Sequence, residues 1–416
     1  MLNLKLGMTL GWYQIRQSNF WASFLIVTVV VFTLLNLVVI SGILGGIIDG
    51  VLKTVREEVV GDILIEPLPN EKYVIETDRI LQELQKIEEV EGYTPRYEEL
   101  AIIEAGYHDR SLTDERDVIA VNILGVDPQL ESETLRIPSL VTEGEYFSPD
   151  DRAYILLGKY TIDRYGIEYG DVFDSLKGVY PGDKVKIYPP ASTEGVEFTV
   201  KGIIHSKMDV VALSVFIPEL DLRRMFGRTT RDADQIIVKL KSESDAEEVK
   251  ELLEKQGIAS LGTIEVFKNN IPKFIRDVTT TFERLSLVIG SISVIVASIT
   301  VFIIIFITIL SRRRQIGILK AIGIKERVVE YAYATQATFY ACTGIAIGTI
   351  IIYAVLVPYL SIHPIDFPYT FVFLSVTPQS LFYQSFLLFG IMFLAGLIPA
   401  KMITRQPTLE SILGKR

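Results

Sequence analysis

The residues best suited to a physical task lie between Arg312 and Gly323. Arg312, Arg313 and Arg314 form a basic cluster, followed by Ile316-Gly317-Ile318-Leu319-Lys320-Ala321-Ile322-Gly323. Three guanidinium groups hold a segment on the cytoplasmic side of a membrane, and a plain topology anchor is their simplest role. On a short helix, Ile316, Ile318, Leu319 and Ile322 present an apolar face to lipid headgroups or to a groove in a soluble partner. Gly317 and Gly323 permit close approach and a turn into the next segment. The chemistry expected here is docking and reception of a push, with no bond made or broken. No catalytic constellation competes with it. His108, His205 and His363 lie far apart with no ligand-type spacing, so no metal or other cofactor is expected. The pattern G-x-x-x-x-G-K-[ST] is absent, so ATP is not bound in that manner.

The elements that must position this segment are apolar runs. Of 416 residues, 49% are hydrophobic and 22% charged, too apolar for an ordinary soluble chain and too polar for one wholly embedded in lipid. Runs at 20–48, 285–310, 328–358 and 380–400 each reach the roughly 20 residues needed to cross hydrocarbon. The first is too long for a cleavable signal peptide. Around them lie an interfacial helix at 1–19, amphipathic stalks at 49–60 and 271–284, and a charged domain at 61–270. A coupling loop at 311–327, a short loop at 359–379 and a tail at 401–416 complete the chain. Cys342, the single cysteine, sits in the third run and leaves the charged domain without a disulfide.

Charge orients these parts. Residues 49–284 hold 29 Lys+Arg and 47 Asp+Glu, whereas the rest of the chain holds 12 basic and 4 acidic residues. All 12 basic residues fall at the two termini or in the 312–327 loop, which the positive-inside rule places in the cytoplasm. The acidic domain and the 359–379 loop then lie outside, and their charge argues against nucleic acid. The apolar runs carry little charge for a polar pathway. Glu330, at the cytoplasmic end of the third, reads as an interfacial charge.

Within 61–270, two β-α-β-like units flank a middle. The first has a strand at Gly61–Pro67, a helix at Asp78–Val90, and strands at Tyr93–Ala105 and Arg116–Val126. The second has a strand at Ala233–Leu240, a helix at Ser244–Lys255 capped by Ser244, and a strand at Thr263–Phe267. The middle, about 127–228, shows short strands at Tyr154–Leu157, Lys184–Tyr188, Val196–Ile204 and Ser214–Ile217, and reads as a mostly-β insert.

The octad Ile316–Gly323 after a basic cluster closely resembles the permease signature of the MacB/LolC/FtsX superfamily of ABC transporters. The ending Ala395-Gly396-Leu397-Ile398-Pro399-Ala400-Lys401, then Arg405-Gln406-Pro407-Thr408-Leu409-Glu410, is similar to that family's. So are Ile155-Leu156-Leu157-Gly158-Lys159, Gly182-Asp183-Lys184-Val185 and Phe198-Thr199-Val200-Lys201-Gly202-Ile203. The resemblance implies four α-helical transmembrane spans in a 1+3 arrangement. It also implies a large extracytoplasmic α+β domain on a helical stalk, with a split α/β porter part and an inserted β-rich part. It implies a non-catalytic permease subunit, paired with a second copy or paralogue and driven by a separate cytoplasmic ATPase through mechanotransmission. A lipoprotein, lipid or other amphiphile is the implied cargo, and membrane lipid a further partner. The competing reading is an FtsX-like regulator that activates an extracytoplasmic cell-wall hydrolase. Many relatives carry an acidic residue where this chain has Gln336, so an amide takes over any helix-pairing role there. Gly344-x-x-x-Gly348 and Asn36 are the other candidates for packing between spans.

The topology has a direct test. In a Cys342→Ala background, cysteines placed at Ser132 and Ser192 should react with an impermeant thiol reagent in intact cells, and one at Ser311 should not. Labelling at position 311 would reverse the orientation.

Overall fold

The computed structural model describes residues 2–17, 20–108, 115–168, 174–190, 192, 194–269, 271, 273–311, 313–368 and 370–404. The chain forms two compact units. One comprises 1–50, 277–367 and 371–416, and the other 51–276 with 368–370.

The first unit is helical. Among the described residues, four helices are long and apolar enough to cross a membrane. They lie within Phe20–Val55 with its continuation to Val60, Lys273–Ser311, Glu326–Ile351 with its continuation to Ile362, and Pro378–Thr404. Lipid tails are as apolar as leucine, so burial alone does not drive such helices together and close packing must. The third helix supplies it through Gly344 and Gly348. A Cβ at Gly344 would lie 2.5 Å from Val30 Cγ1, and one at Gly348 would lie 2.8 Å from Leu34 Cδ2. The first and third helices therefore meet backbone to side chain, and Val30, Leu34, Ala341 and Met392 are buried there. The short helix Leu2–Arg16 uses the same device: Gly7 and Gly11 rest on Tyr331 and Ala332 at the start of the third helix. Its Leu4, Leu6, Met8 and Trp12 remain exposed.

The second unit is built on one ten-stranded sheet. Its strands are β1 (Ile63–Glu66), β2 (Val90–Ala105), β3 (Asp117–Val126), β4 (Val141–Gly144) and β5 (Tyr154–Gly158). Then come β6 (Lys184–Tyr188), β7 (Val196–Ile204), β8 (Val215–Pro218), β9 (Gln235–Leu240) and β10 (Thr263–Val266). They run in the order β10-β1-β9-β2-β3-β8-β5-β7-β4, with β6 pairing β2 and β7. Thus the strands at the two ends of the domain sequence interleave, β1 lying between β9 and β10. The middle strands continue the same sheet. β2 makes this possible by its length: residues 90–96 pair β9 and residues 96–105 pair β3. One buried core runs from Ile63 and Ile65 through Ile103 and Leu157 to Phe198 and Val238.

Two sequence expectations shift. The helix expected at Asp78–Val90 is Thr77–Leu84, because Val90 already pairs with Leu240 in the sheet, where a β-branched residue packs well. The helix expected from Ser244 begins at Ala246 after a 3-10 turn at Glu243–Asp245, so Ser244 lies inside that turn and not at the cap.

A buried ion pair stands in this unit. Arg96 donates to Glu131, which also accepts from Thr94, and Arg96 donates further to the carbonyl of Val59. Arg96 is 2% exposed and Glu131 is 0% exposed. Deleting one partner strands the other charge in a medium that solvates it poorly.

Residues 51–276 expressed alone should melt cooperatively, and Arg96→Ala should lower their stability by about 3–5 kcal/mol. A fragment that melts without a transition would show that this unit does not fold alone. In the helical unit, Gly344→Leu should destabilise the detergent-solubilised protein by about 1–3 kcal/mol through overpacking. Gly390→Ala is the control, since nothing lies within 4 Å of a Cβ there; it should be neutral or gain up to about 1 kcal/mol of helix propensity. Equal effects of the two variants would remove the special role of Gly344.

Candidate coupling helix

The second long helix is described to Ser311, and a short helical stretch, Arg313–Ala321, lies before the third long helix begins at Glu326. Arg312 lies outside the described residues, and the side chains of Arg313 and Lys320 are likewise undescribed.

The turn that closes the short helix has a clear physical basis. Gly323 adopts φ +95°, a left-handed conformation that a side chain resists. The amide of Ile324 donates to the carbonyl of Leu319 at 3.1 Å, the six-to-one bond of a Schellman motif. Ile324 packs against the buried core of the helical unit. Gly323 thus sets the entry into the third helix. A Cβ there would meet nothing within 4 Å, so within this chain its part is conformational.

The apolar residues of the octad divide between two faces. Ile316 is 1% exposed and belongs to the core of the helical unit, with Val329 and Tyr333. It anchors the short helix and is not available to a partner, which corrects the expectation that it shares an outward apolar face. Gly317 is buried beside it and Leu319 is half-buried. Ile318 is 46% exposed and Ile322 is 75% exposed. These two stand one helical turn apart on the open face, as positions i and i+4 do. Arg314, Gln315 and Ala321 are exposed with them, and Lys325, Glu326 and Arg327 follow in the next turn. The outward surface is a pair of isoleucines within a mainly basic rim.

The other candidates fall as follows. Gln336 is 4% exposed, and its Nε2 donates to Tyr340 Oη at 3.1 Å. Tyr340 Oη in turn shares a hydrogen bond with Ser23 Oγ at 2.9 Å, joining the third helix to the first. The amide therefore occupies a buried polar chain between helices. Ser23 is the member that sequence does not point to, because nothing in spacing pairs residues 317 positions apart. Asn36 is exposed and makes no packing contact of the expected kind among the described residues. Glu330 Oε1 accepts from Thr404 Oγ1 at 3.4 Å. The Gly7-x-x-x-Gly11 contact was legible in principle, since it repeats the spacing of Gly344 and Gly348. The tail from Arg405 onward lies outside the described residues.

Comparison with known proteins places this arrangement. Residues 23–256 match the family model for the MacB-like periplasmic core domain, and residues 287–408 match that for the FtsX-like permease C-terminal domain. A probable export ATP-binding/permease protein of Pseudomonas fluorescens (strain Pf0-1) is 27% identical over 230 residues, 54% of this chain and 33% of that protein. A probable export ATP-binding/permease protein MacB of Pseudomonas entomophila (strain L48) is 29% identical over 141 residues, 33% of this chain and 21% of that protein. The chain thus spans a third or less of the length of these relatives. Among solved structures, the periplasmic region of MacB from Actinobacillus actinomycetemcomitans is 16% identical with a TM-score of 0.36, covering 56% of this chain and 97% of that one. The extracellular domain of the ABC-type transporter YknZ from Gram-positive bacteria is 13% identical with a TM-score of 0.35, covering 49% of this chain and 100% of that one. With one family model matched across more than half of its length and the second across its C-terminal helices, this chain belongs to the MacB/FtsX family of ABC transporter permeases.

Proposed function

We propose that the chain is the non-catalytic permease subunit of an ABC transporter, and that Arg313–Ala321 is where a cytoplasmic ATPase pushes on it. The observation that carries this reading is the exposed pair Ile318 and Ile322 on a helix held from behind by Ile316. Two anchors at i and i+4 within a charged rim suit a helix-in-groove contact. Burying them in a partner's groove removes apolar surface from water, worth about 1.5–3 kcal/mol for each side chain fully buried. The closed Schellman turn at Gly323 passes displacement of the short helix to the third helix without slack.

In this proposal both termini and the 311–327 loop are cytoplasmic. The domain between the first and second spans is the extracytoplasmic, MacB-like part, with a split α/β porter portion and a β-rich insert. The membrane-proximal turns at 49–60 and 271–284 act as stalks, so that nucleotide-driven closure of the ATPase moves the outer domain by mechanotransmission. The export function named for the relatives supports a transport task, and the cargo proposed for it is a lipoprotein, lipid or other amphiphile. A second permease copy or paralogue covers part of the helical unit. Asn36 supports this, because an exposed amide among Phe32, Leu35 and Val39 is costly against lipid and satisfied by a protein neighbour.

The test is purification of the complex with its ATPase. Ile318→Asp and Ile322→Asp should each abolish ATPase copurification and stimulated hydrolysis while leaving membrane insertion intact, since a carboxylate cannot be desolvated in an apolar groove cheaply. Ile316→Ala should instead lower stability by about 2–5 kcal/mol, as loss of a buried isoleucine does. Normal assembly of both aspartate variants would leave the basic cluster as a topology anchor only.

A further inference from the structure

The third and fourth long helices are in close contact near Gly396 and leave an open groove further along. Near the C-terminal end of the fourth helix, a Cβ at Gly396 would lie 2.6 Å from Ala337 Cβ, so the backbones approach closely. Toward the start of the fourth helix the facing residues are large: Phe382, Phe386 and Phe389 oppose Ile345 and Tyr353. The third helix also widens into a π-turn at Ile352–Leu356 on this side. Gly396 and Phe382 are 14 residues apart, roughly 21 Å along a helix. An open groove of about 470 Å³ lies among these residues, with Pro378, Leu381 and Ser385 completing its lining.

We propose that this groove holds an acyl chain of a membrane phospholipid from the leaflet at the Pro378 end, as a lipid bound in place rather than as exported cargo. The groove lies within two of the apolar spans, so hydrocarbon is what surrounds it. Among the described residues no charged one lines it, which disfavours a headgroup inside and suits an apolar chain. A partner helix fits poorly. Helices in lipid approach over small residues, whereas the rims here are Phe382, Phe386 and Tyr353, and Phe382 and Phe386 are 73% and 68% exposed. Phe382 and Phe386 stack with centroids 6.4 Å apart and form one continuous wall. A volume of this size matches single small ligands. Ser385 adds one hydroxyl to the lining, within reach of an ester group when the chain enters from the Pro378 end. Naming that leaflet the outer one rests on the topology proposed above; the groove itself does not, and neither does it rest on the coupling helix.

The experiment uses the full-length protein in detergent and native mass spectrometry. The wild-type chain should retain one phospholipid at detergent concentrations that strip the rest. Ser385→Trp, which fills the groove, should retain about tenfold less, a difference worth about 1.4 kcal/mol. A second measurement covers the case in which that variant does not fold. With Trp12 and Trp21 replaced by Phe, a tryptophan from Phe386→Trp should be quenched by near-stoichiometric brominated phosphatidylcholine. One from Ile292→Trp, on the exposed face of the second helix, should need a large excess. Equal quenching at the two positions, or equal lipid retention in wild type and Ser385→Trp, would overturn the proposal. Retention of a single-chain amphiphile in place of phospholipid would overturn it as well.

Discussion

Close contact of helix backbones, permitted by the absence of side chains at Gly344 and Gly348, is the constraint on which the helical unit depends. In hydrocarbon every backbone polar group is satisfied within its own helix, so helices form readily and then lack a solvent-driven reason to associate. Val30 and Leu34 filling the space above the two glycines supplies that reason through packing. Ser23, Tyr340 and Gln336 add a buried polar chain along the same seam. The third helix, fixed in this way, presents its own start to the Leu2–Arg16 helix and to the short helix that precedes it. The orientation of Ile318 and Ile322 therefore depends on contacts made along the third helix.

The strand-rich unit solves a different problem. Water drives its burial, and its core of Ile, Leu and Val side chains spans a sheet assembled from both ends of the domain sequence. Its organising element is β2, which changes partner at Arg96 from β9 to β3. The residue at that change also carries the buried guanidinium that Glu131 and Val59 satisfy. A strand shared between the two halves explains why the middle strands form no separate core.

Much of this was legible because membrane insertion and β-pairing leave periodic signals. Runs of about 20 apolar residues, the 12 basic residues outside 49–284, and the alternation in β6 and β7 follow from local chemistry. Strand ends at Lys184–Tyr188 and Val196–Ile204 were readable to the residue, helped by Gly182 and Pro189 about the first and Gly195 before the second. The end of the Thr77–Leu84 helix was not, since Ile87 and Val90 continue an apolar spacing that either a helix or the sheet could use. The cap at Ser244 failed for a related reason: a 3-10 turn ahead of Ala246 satisfies the first amides without it.

The sequence by itself determined that there are long apolar helices around an acidic, cysteine-free domain, and that a basic, glycine-bounded octad joins two of those helices. Tertiary structure alone decided which face of the octad is open. Ile316, Ile318, Leu319 and Ile322 are alike in hydropathy, and nothing in their types says which of them faces the bundle. Their division into anchor and exposed pair came from the register of the Schellman turn and from the place that Val329 and Tyr333 leave for one side chain. The same is true of the groove between the third and fourth helices. Gly396 and Phe386 are each visible in sequence, but which residue of another helix stands opposite each is set only when the bundle packs.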